Sequence, residues 1–321
     1  MTGLLDGLEI HGRPARLLFV HAHPDDETLA TGVAIAHHTA RGDDVHVLTC
    51  TLGEEGEVIP ASLAHLEGAA GDALAPHRRE ELRGAAEVLG VTAHLLGATE
   101  AGATDAGATD AGATDAGATD AGATDAGATD GGAPTAYRDS GMAGSAAAAH
   151  PRAWAGVDLA GAAAAVRVVL DDVRPDVVVT YDATGGYGHP DHVRTHEATC
   201  RAVATSADAP VLYAVLTPLS WALEDRSWLA EHVPDDRGVV VPGEGDPFPS
   251  QVVPDEVVTH TVVDPSVVPV QARALQAHET QVVVGDGWYA LSNHVVSRLA
   301  GREGYARLDA ATGRPTSEGA S

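Results

Sequence analysis

The 321-residue sequence predicts an α/β fold: a Rossmann-like, mostly parallel sheet flanked by helices, with a smaller C-terminal α+β portion. Three observations predict it. RLLFVHA at 16–22 and DVVVTYD at 176–182 carry the unbroken apolar runs of strands buried on both faces, as a parallel sheet requires. Each run leads through a short turn into a segment of helical spacing. Between and after them strand-like and helix-like segments alternate, the pattern of βαβ units with right-handed crossovers.

The elements follow in order. Residues 1–15 are expected to be a frayed lead-in, and 16–22 the first strand. Residues 27–41 read as a helix with an apolar side formed by Leu29, Val33, Ile35 and Ala36, stopped by Gly42. A second strand at 45–51 is rich in Val, Leu and Thr. It runs out into LGEEGEV (52–58), an acidic, glycine-punctuated loop on the same sheet edge as the first turn. Leu82, Ala85, Ala86 and Leu89 mark a helix over 77–89, closed by Gly90, and 91–96 is a third strand. After a loop over 131–150, a helix at 158–173 is capped by Asp158 and stopped ahead of Pro175. The strand at 176–182 leads into ATGGYGHPDH and a helix over 191–204. Less legible are strands at 211–216 and 257–263 and helices at 219–232, 268–281 and 288–299. The domain reading is a Rossmann-like core over 1–232, a portion over 233–307 that completes the fold beyond a Pro/Gly/Asp-rich loop, and a disordered tail over 308–321.

AGATD repeats six times without variation over 101–130. A five-residue period matches neither a helix nor a strand, and the unit carries nothing larger than Thr or Asp, so it buries too little apolar surface to offset chain entropy. A disordered insertion is expected there. The formal net charge is −27 and all 19 cationic side chains are arginines. Nucleic acid and anionic membranes are therefore excluded as partners. Cys50 and Cys200 sit far apart in or beside apolar segments and read as free buried thiols. With no run long enough to span a bilayer and no leader, a soluble cytoplasmic protein is expected.

The chemistry concentrates in two turns. His23 and Asp26 stand three apart at a helix start, so their side chains can face one point. His192 follows the other buried strand in the same manner. Two imidazoles and a carboxylate leave a coordination position open, the donor set of a catalytic Zn²⁺ site, and one that Fe²⁺ also accepts. Asp25, beside a ligand but directed differently, is placed to take a proton from a metal-activated water. Either turn alone is as compatible with helix capping as with function; two of the same chemistry at the ends of two buried strands point to a metal site. The remaining histidines, among them His21, His37, His38, His196 and His278, are read as surface or core residues.

AHPDDE (22–27) together with GHPDH (188–192) resembles the LmbE/PIG-L family of zinc-dependent N-acetylglucosamine deacetylases. TCTLGEEGEV, YRDSGM, VVVTYDATGGYGHPDHV and HETQVVVG are similar to its mycothiol-pathway branch. The resemblance runs from about 16 to about 300 and is interrupted by the AGATD block. It implies zinc held by His23, Asp26 and His192, Asp25 as general base, and a small-molecule pseudodisaccharide substrate. It further implies that His189 stabilises an oxyanion or protonates the leaving amine, that Tyr187 polarises the acetyl carbonyl, that Asp191 orients an active-site histidine, and that Arg78 and Asp139 bind sugar and inositol hydroxyls. A sister branch, the mycothiol S-conjugate amidases, carries a lysine shortly after HPDDE, where this chain has Leu29, Ala30 and Thr31. A catalytically silent sugar-binding module is the alternative from another class.

Overall fold

The computed structural model describes residues 3–68, 73–97, 135–234 and 238–316. The AGATD repeat and residues 317–321 lie outside them. In chain order the elements are β1 (Arg16–His21), α1 (Asp26–Ala40), β2 (Asp44–Thr49), α2 (Leu74–Leu89), β3 (Thr92–Leu95), α3 (Leu159–Val173), β4 (Val177–Thr180), α4 (Pro190–Ala204), β5 (Val211–Pro218), α5 (Leu219–His232), β6 (Val252–Val253), β7 (His260–Val263), α6 (Val268–Ala277), β8 (Val283–Val284), β9 (Trp288–Ala290), β10 (Val296–Arg298), β11 (Arg302–Asp309) and β12 (Arg314–Pro315).

The main sheet runs β12-β11-β5-β4-β1-β2-β3, with β6 beside β5 and β7 beside β11. Its centre is parallel: Phe19 of β1 pairs with Val47 of β2 on one side and Val179 of β4 on the other. Alternation along β1 builds two cores. Leu17 and Phe19 face a layer containing Val33, Ile35, Ala85 and Ala274 from α1, α2 and α6. Leu18 and Val20 face Ala162, Val166, Leu170 and Ala198 from α3 and α4. Both faces are covered, which is why β1 and β4 contain no exposed position. The chain winds outward from β1 through β2 to β3, then returns to β4 on β1's other side. That reversal opens a crevice between the carboxyl ends of β1 and β4, where open α/β sheets bind ligands.

Four expectations are corrected. The N-terminal segment is anchored: Leu4 is fully buried, and Arg13 makes a two-pronged contact with Asp176 at 2.6 and 2.8 Å. Residues 288–299 form β9 and β10 of a small antiparallel sheet with β8. A helix is expected over 288–299, whereas Ser292 and Asn293 make a turn and Trp288, Tyr289 and Val296 prefer a pleated surface. The tail does not begin at 308: Leu308 is buried in the second core, and an Asp309–Gly313 turn leads into β12. Finally, β7 and β11 of the C-terminal portion are strands of the main sheet, with Gly304 opposite Leu216 of β5. Cys50 and Cys200 are free and buried, as expected.

Glu303 on β11 locks the late strand onto α1. Its two oxygens accept the Val33 and Ala34 amides at 2.7 and 2.8 Å, and the Tyr305 hydroxyl donates to it at 2.6 Å. Burial pushes its carboxyl up to about 7 against these donors. A folded-state value above the ordinary 4.5 stabilises the fold fully below that pH, and the contribution is lost as pH rises through about 7. Urea titrations between pH 5 and 8 should therefore show wild-type stability falling by roughly 2 kcal/mol more than that of Glu303→Gln, whose side chain does not titrate. Parallel curves for the two proteins would refute this account of Glu303.

Candidate metal centre

The AHPDDE turn leaves β1 and the GHPDH turn leaves β4, so pairing of these strands brings the two motifs together although 169 positions separate His23 from His192. The turn after β4 is opened by Gly185 and Gly186, both of positive φ. A Cβ at Gly185 would lie 2.9 Å from the His192 Cβ and from the Val193 nitrogen, so a side chain there would push away the start of α4. Pro190 occupies the first turn of α4, and His189 caps it by accepting the Asp191 amide on Nδ1 at 3.2 Å.

Three donor atoms meet at one point. His23 Nδ1 lies 3.2 Å from Asp26 Oδ2, His192 Nε2 lies 3.3 Å from that oxygen, and the two ring nitrogens are 3.3 Å apart. A tetrahedral centre with bonds of about 2.0–2.1 Å separates its ligand atoms by about 3.3–3.4 Å. The triangle therefore has the edge lengths of three ligands sharing one divalent ion, and its N, N, O chemistry suits one. His189 is the alternative third donor, with a ring nitrogen within 4.8 Å of those of His23 and His192. Asp26 makes the tighter set.

Each ligand is held from behind. His23 Nε2 faces Asp191 Oδ2 at 3.3 Å and Asp139 Oδ1 at 3.5 Å. Asp191, with no exposed surface, also accepts the Ser140 and Ala155 amides at 2.9 and 3.1 Å. Tyr181 stacks on His192 with centroids 4.1 Å apart and planes at 9°, while its hydroxyl accepts the Ala22 amide at 2.8 Å. Such outer contacts fix ring orientation at metal sites. Burial opposes charge on His23, but Asp139, Asp191 and Asp26 outweigh it and hold its pKa well above the ordinary value. Burial likewise opposes charge on Asp26, and His192 and His23 hold it well below the usual carboxylate range. The pocket thus demands positive charge at the donor triangle.

Asp25 flanks the triangle. Burial pushes its carboxyl up to about 7, opposed by Arg78 and reinforced by Asp26. Arg78 is 3% exposed; it lies 3.3 Å from Asp25 Oδ2 and donates to the Pro24 and Gly53 carbonyls. It ties the first turn to the acidic loop after β2, and its guanidinium is committed to protein. Asp139 is also buried, with Oδ1 accepting the Gly141 amide at 2.7 Å. Tyr187 is 53% exposed, its ring 5.0 Å from that of His192, while burial and the neighbouring His23 and His192 push His189 down to about 4. His196 points away and bonds the Tyr181 carbonyl at 2.9 Å.

Sequence reasoning missed Tyr181 and Glu27. Tyr181 was read as the end of a strand, although an aromatic hydroxyl one residue beyond a buried β-run was its only signal. Glu27 is read from the sequence only as the start of the helix over 27–41 and the last residue of the AHPDDE motif.

A family model described as PIG-L, GlcNAc-PI de-N-acetylase, matches residues 18–203, which include both turns and all of the donor triangle. The chain belongs to this family. Among curated proteins it is 40% identical over 319 residues to the 1D-myo-inositol 2-acetamido-2-deoxy-alpha-D-glucopyranoside deacetylase of Rhodococcus opacus, covering 95% of each chain. It is 40% identical to the protein of that name from Actinosynnema mirum, with 91% of each covered, and 38% identical to that from Mycolicibacterium smegmatis, with 95% of this chain and 93% of the relative covered.

Two outcomes follow. Replacing Asp26 or His192 with Ala should lower bound divalent metal, measured by plasma mass spectrometry after equilibration with limiting Zn²⁺, from about one per chain to below roughly a tenth. Gly53→Ala places a Cβ 1.8 Å from Arg78 Nη1 at a φ of +63°, so it should cost about 1–3 kcal/mol in thermal or urea unfolding.

Proposed function

We propose that this chain hydrolyses the acetamide of 1D-myo-inositol 2-acetamido-2-deoxy-α-D-glucopyranoside, releasing acetate and the free glucosamine amine, as a cytoplasmic Zn²⁺-dependent deacetylase. The observation that carries the reading is the His23–Asp26–His192 triangle with Asp25 beside it. The near-full-length similarity to deacetylases named for that substrate supports its assignment.

His23, Asp26 and His192 would hold the ion. When bound, it supplies Lewis acidity, polarising the acetyl carbonyl and lowering the pKa of an adjacent water. Asp25 takes the proton from the attacking water, and a dication nearby keeps its carboxylate ionised at neutral pH in spite of burial. Arg78, 3.3 Å from Asp25 Oδ2, limits the motion of that carboxylate. His189, its Nδ1 accepting the Asp191 amide, presents its other nitrogen as a hydrogen-bond donor to the developing oxyanion, and the proton that Asp25 takes from the water passes to the departing amine. Tyr187 stands exposed at the mouth, where its hydroxyl can meet the acetyl oxygen. Asp191 and Asp139 keep His23 oriented. The burial of Arg78 and Asp139 shifts their part from gripping hydroxyls to shaping the floor of the site.

The test is amine release from the inositol-linked N-acetylglucosamine, in parallel with a mycothiol S-conjugate, by metal-loaded protein. Wild type should act on the former, and Asp25→Ala should reduce kcat by about 10²–10⁴ with metal retained. Preference for the conjugate would make the protein an amidase, and inactivity on both would leave a sugar-binding module.

A further inference from the structure

The donor triangle and its proton acceptor leave unexplained a second buried acid in the same turn. Glu27 is 1% exposed and His278, at the end of α6, has no exposed surface. His278 Nε2 lies 2.8 Å from Glu27 Oε1, a contact spanning 251 positions of chain. The other oxygen, Oε2, accepts the backbone amide of Asp25 at 2.9 Å.

That amide belongs to a strained residue. Asp25 has φ 105° and ψ −34°, outside the regions open to a side chain other than glycine. Such a conformation costs about 1–3 kcal/mol and persists only where its surroundings over-determine it. Here they do so from both sides. The Asp25 carbonyl accepts the Thr28 and Leu29 amides at 3.0 and 2.9 Å, and its amide is taken by Glu27. Since φ sets the direction of Cβ relative to the chain, release of this backbone would turn the Asp25 carboxylate away from its present direction. The segment carrying His278 also reaches Asp25 by a second route. Thr280 donates its amide and hydroxyl to Glu81 on α2, both at 2.8 Å, three residues from the Arg78 that flanks the Asp25 carboxylate.

We propose that the His278–Glu27 pair is a positioning device that holds Asp25 in its positive-φ conformation and thereby sets the direction of the catalytic carboxylate. His278 orients Glu27, and Glu27 clamps the Asp25 amide. The pair touches neither substrate nor metal. The kinetic part of this inference rests on the deacetylase reading; the conformational part does not.

Steady-state amine release, metal content and crystal structures of the metal-loaded proteins are compared for wild type, Glu27→Ala, Glu27→Gln, His278→Ala, Asp25→Ala and Asp25→Ala/Glu27→Ala. Glu27→Ala should lose about 30–300-fold in kcat, with KM within about twofold and metal stoichiometry unchanged. Glu27→Gln, whose amide oxygen still accepts the Asp25 amide, should stay within about fivefold of wild type, and His278→Ala should fall between them. In the Asp25→Ala background the Glu27 substitution should cost nothing further, because its effect runs through Asp25. In the crystal structure of Glu27→Ala, Asp25 should leave positive φ.

Wild-type kcat in Glu27→Ala, loss of metal in parallel with activity, or a full additional loss in the Asp25→Ala background would each overturn the proposal. Should Glu27→Ala not fold, His278→Ala decides by the same criteria, and Glu27→Gln remains the control that keeps the clamp. Should wild type prove inactive on the inositol-linked substrate, the functional reading fails alone; retention of positive φ at Asp25 in the crystal structure of Glu27→Ala, or of His278→Ala in its place, would then overturn this inference, and its loss would sustain it.

Discussion

Three aspartates, Asp26, Asp139 and Asp191, are buried around one imidazole, that of His23, and a fourth, Asp25, is buried next to Asp26. Like charges gathered in a medium of low polarisability repel strongly, and each has been stripped of water. The surrounding structure is the answer to that constraint. Backbone amides of Ser140, Ala155 and Gly141 point at Asp191 and Asp139, the Arg78 guanidinium faces Asp25, and His23 and His192 converge on Asp26. A divalent cation at the donor triangle would complete the compensation. The gathered negative charge is what suits these side chains to a cation.

The sheet supplies the precision this arrangement needs. Donor atoms that must meet within a few tenths of an ångström sit on turns at the ends of two adjacent, doubly covered strands. Alternating packing of Leu17 and Phe19 against one helical layer and Leu18 and Val20 against the other leaves β1 no freedom to slip, because a one-residue shift would invert every contact. The C-terminal third adds to the same rigidity. Through Glu303 it engages the middle of α1, and through His278 it engages that helix's first turn, so the helix that begins at Asp26 is held by two acid-centred contacts. Residues far from the reacting atoms in sequence thereby determine how firmly the first turn is held.

The sequence alone was most legible where composition and spacing act locally. The first seven main elements, the two turns and the candidate donors His23, Asp26 and His192, which the fold brings together, could be singled out because unbroken apolar runs such as LLFV and VVVT mean strand, glycine and proline punctuate them, and His and Asp in turns offer donor atoms wherever they lie. Local signals failed beyond residue 280. There the apolar residues fall in short runs that fit a helix and strands alike, and the choice between a helix and the β8-β9-β10 hairpins was made by the packing of Trp288, Ala290 and Val296 against Leu229 and Val233 of the α5 end. The burial of Leu4 and Leu308 escaped because each lies in a short segment whose apolar residues set no clear period, and only the assembled layers reveal the space it fills.

What the sequence by itself determined is the chemistry on offer: which side chains can ligate, which can move a proton, and on which sheet edge they emerge. Tertiary structure decided what each of them touches. It moved Arg78 and Asp139 into the interior, set Asp191 behind His23, laid Tyr181 on His192 and joined His278 to Glu27 across 251 residues. The reason is physical. A residue's capacity to bind or ionise is a property of its own atoms, whereas burial, partners and the pKa values that follow from them are properties of space, which the chain defines only after strands distant in sequence have paired.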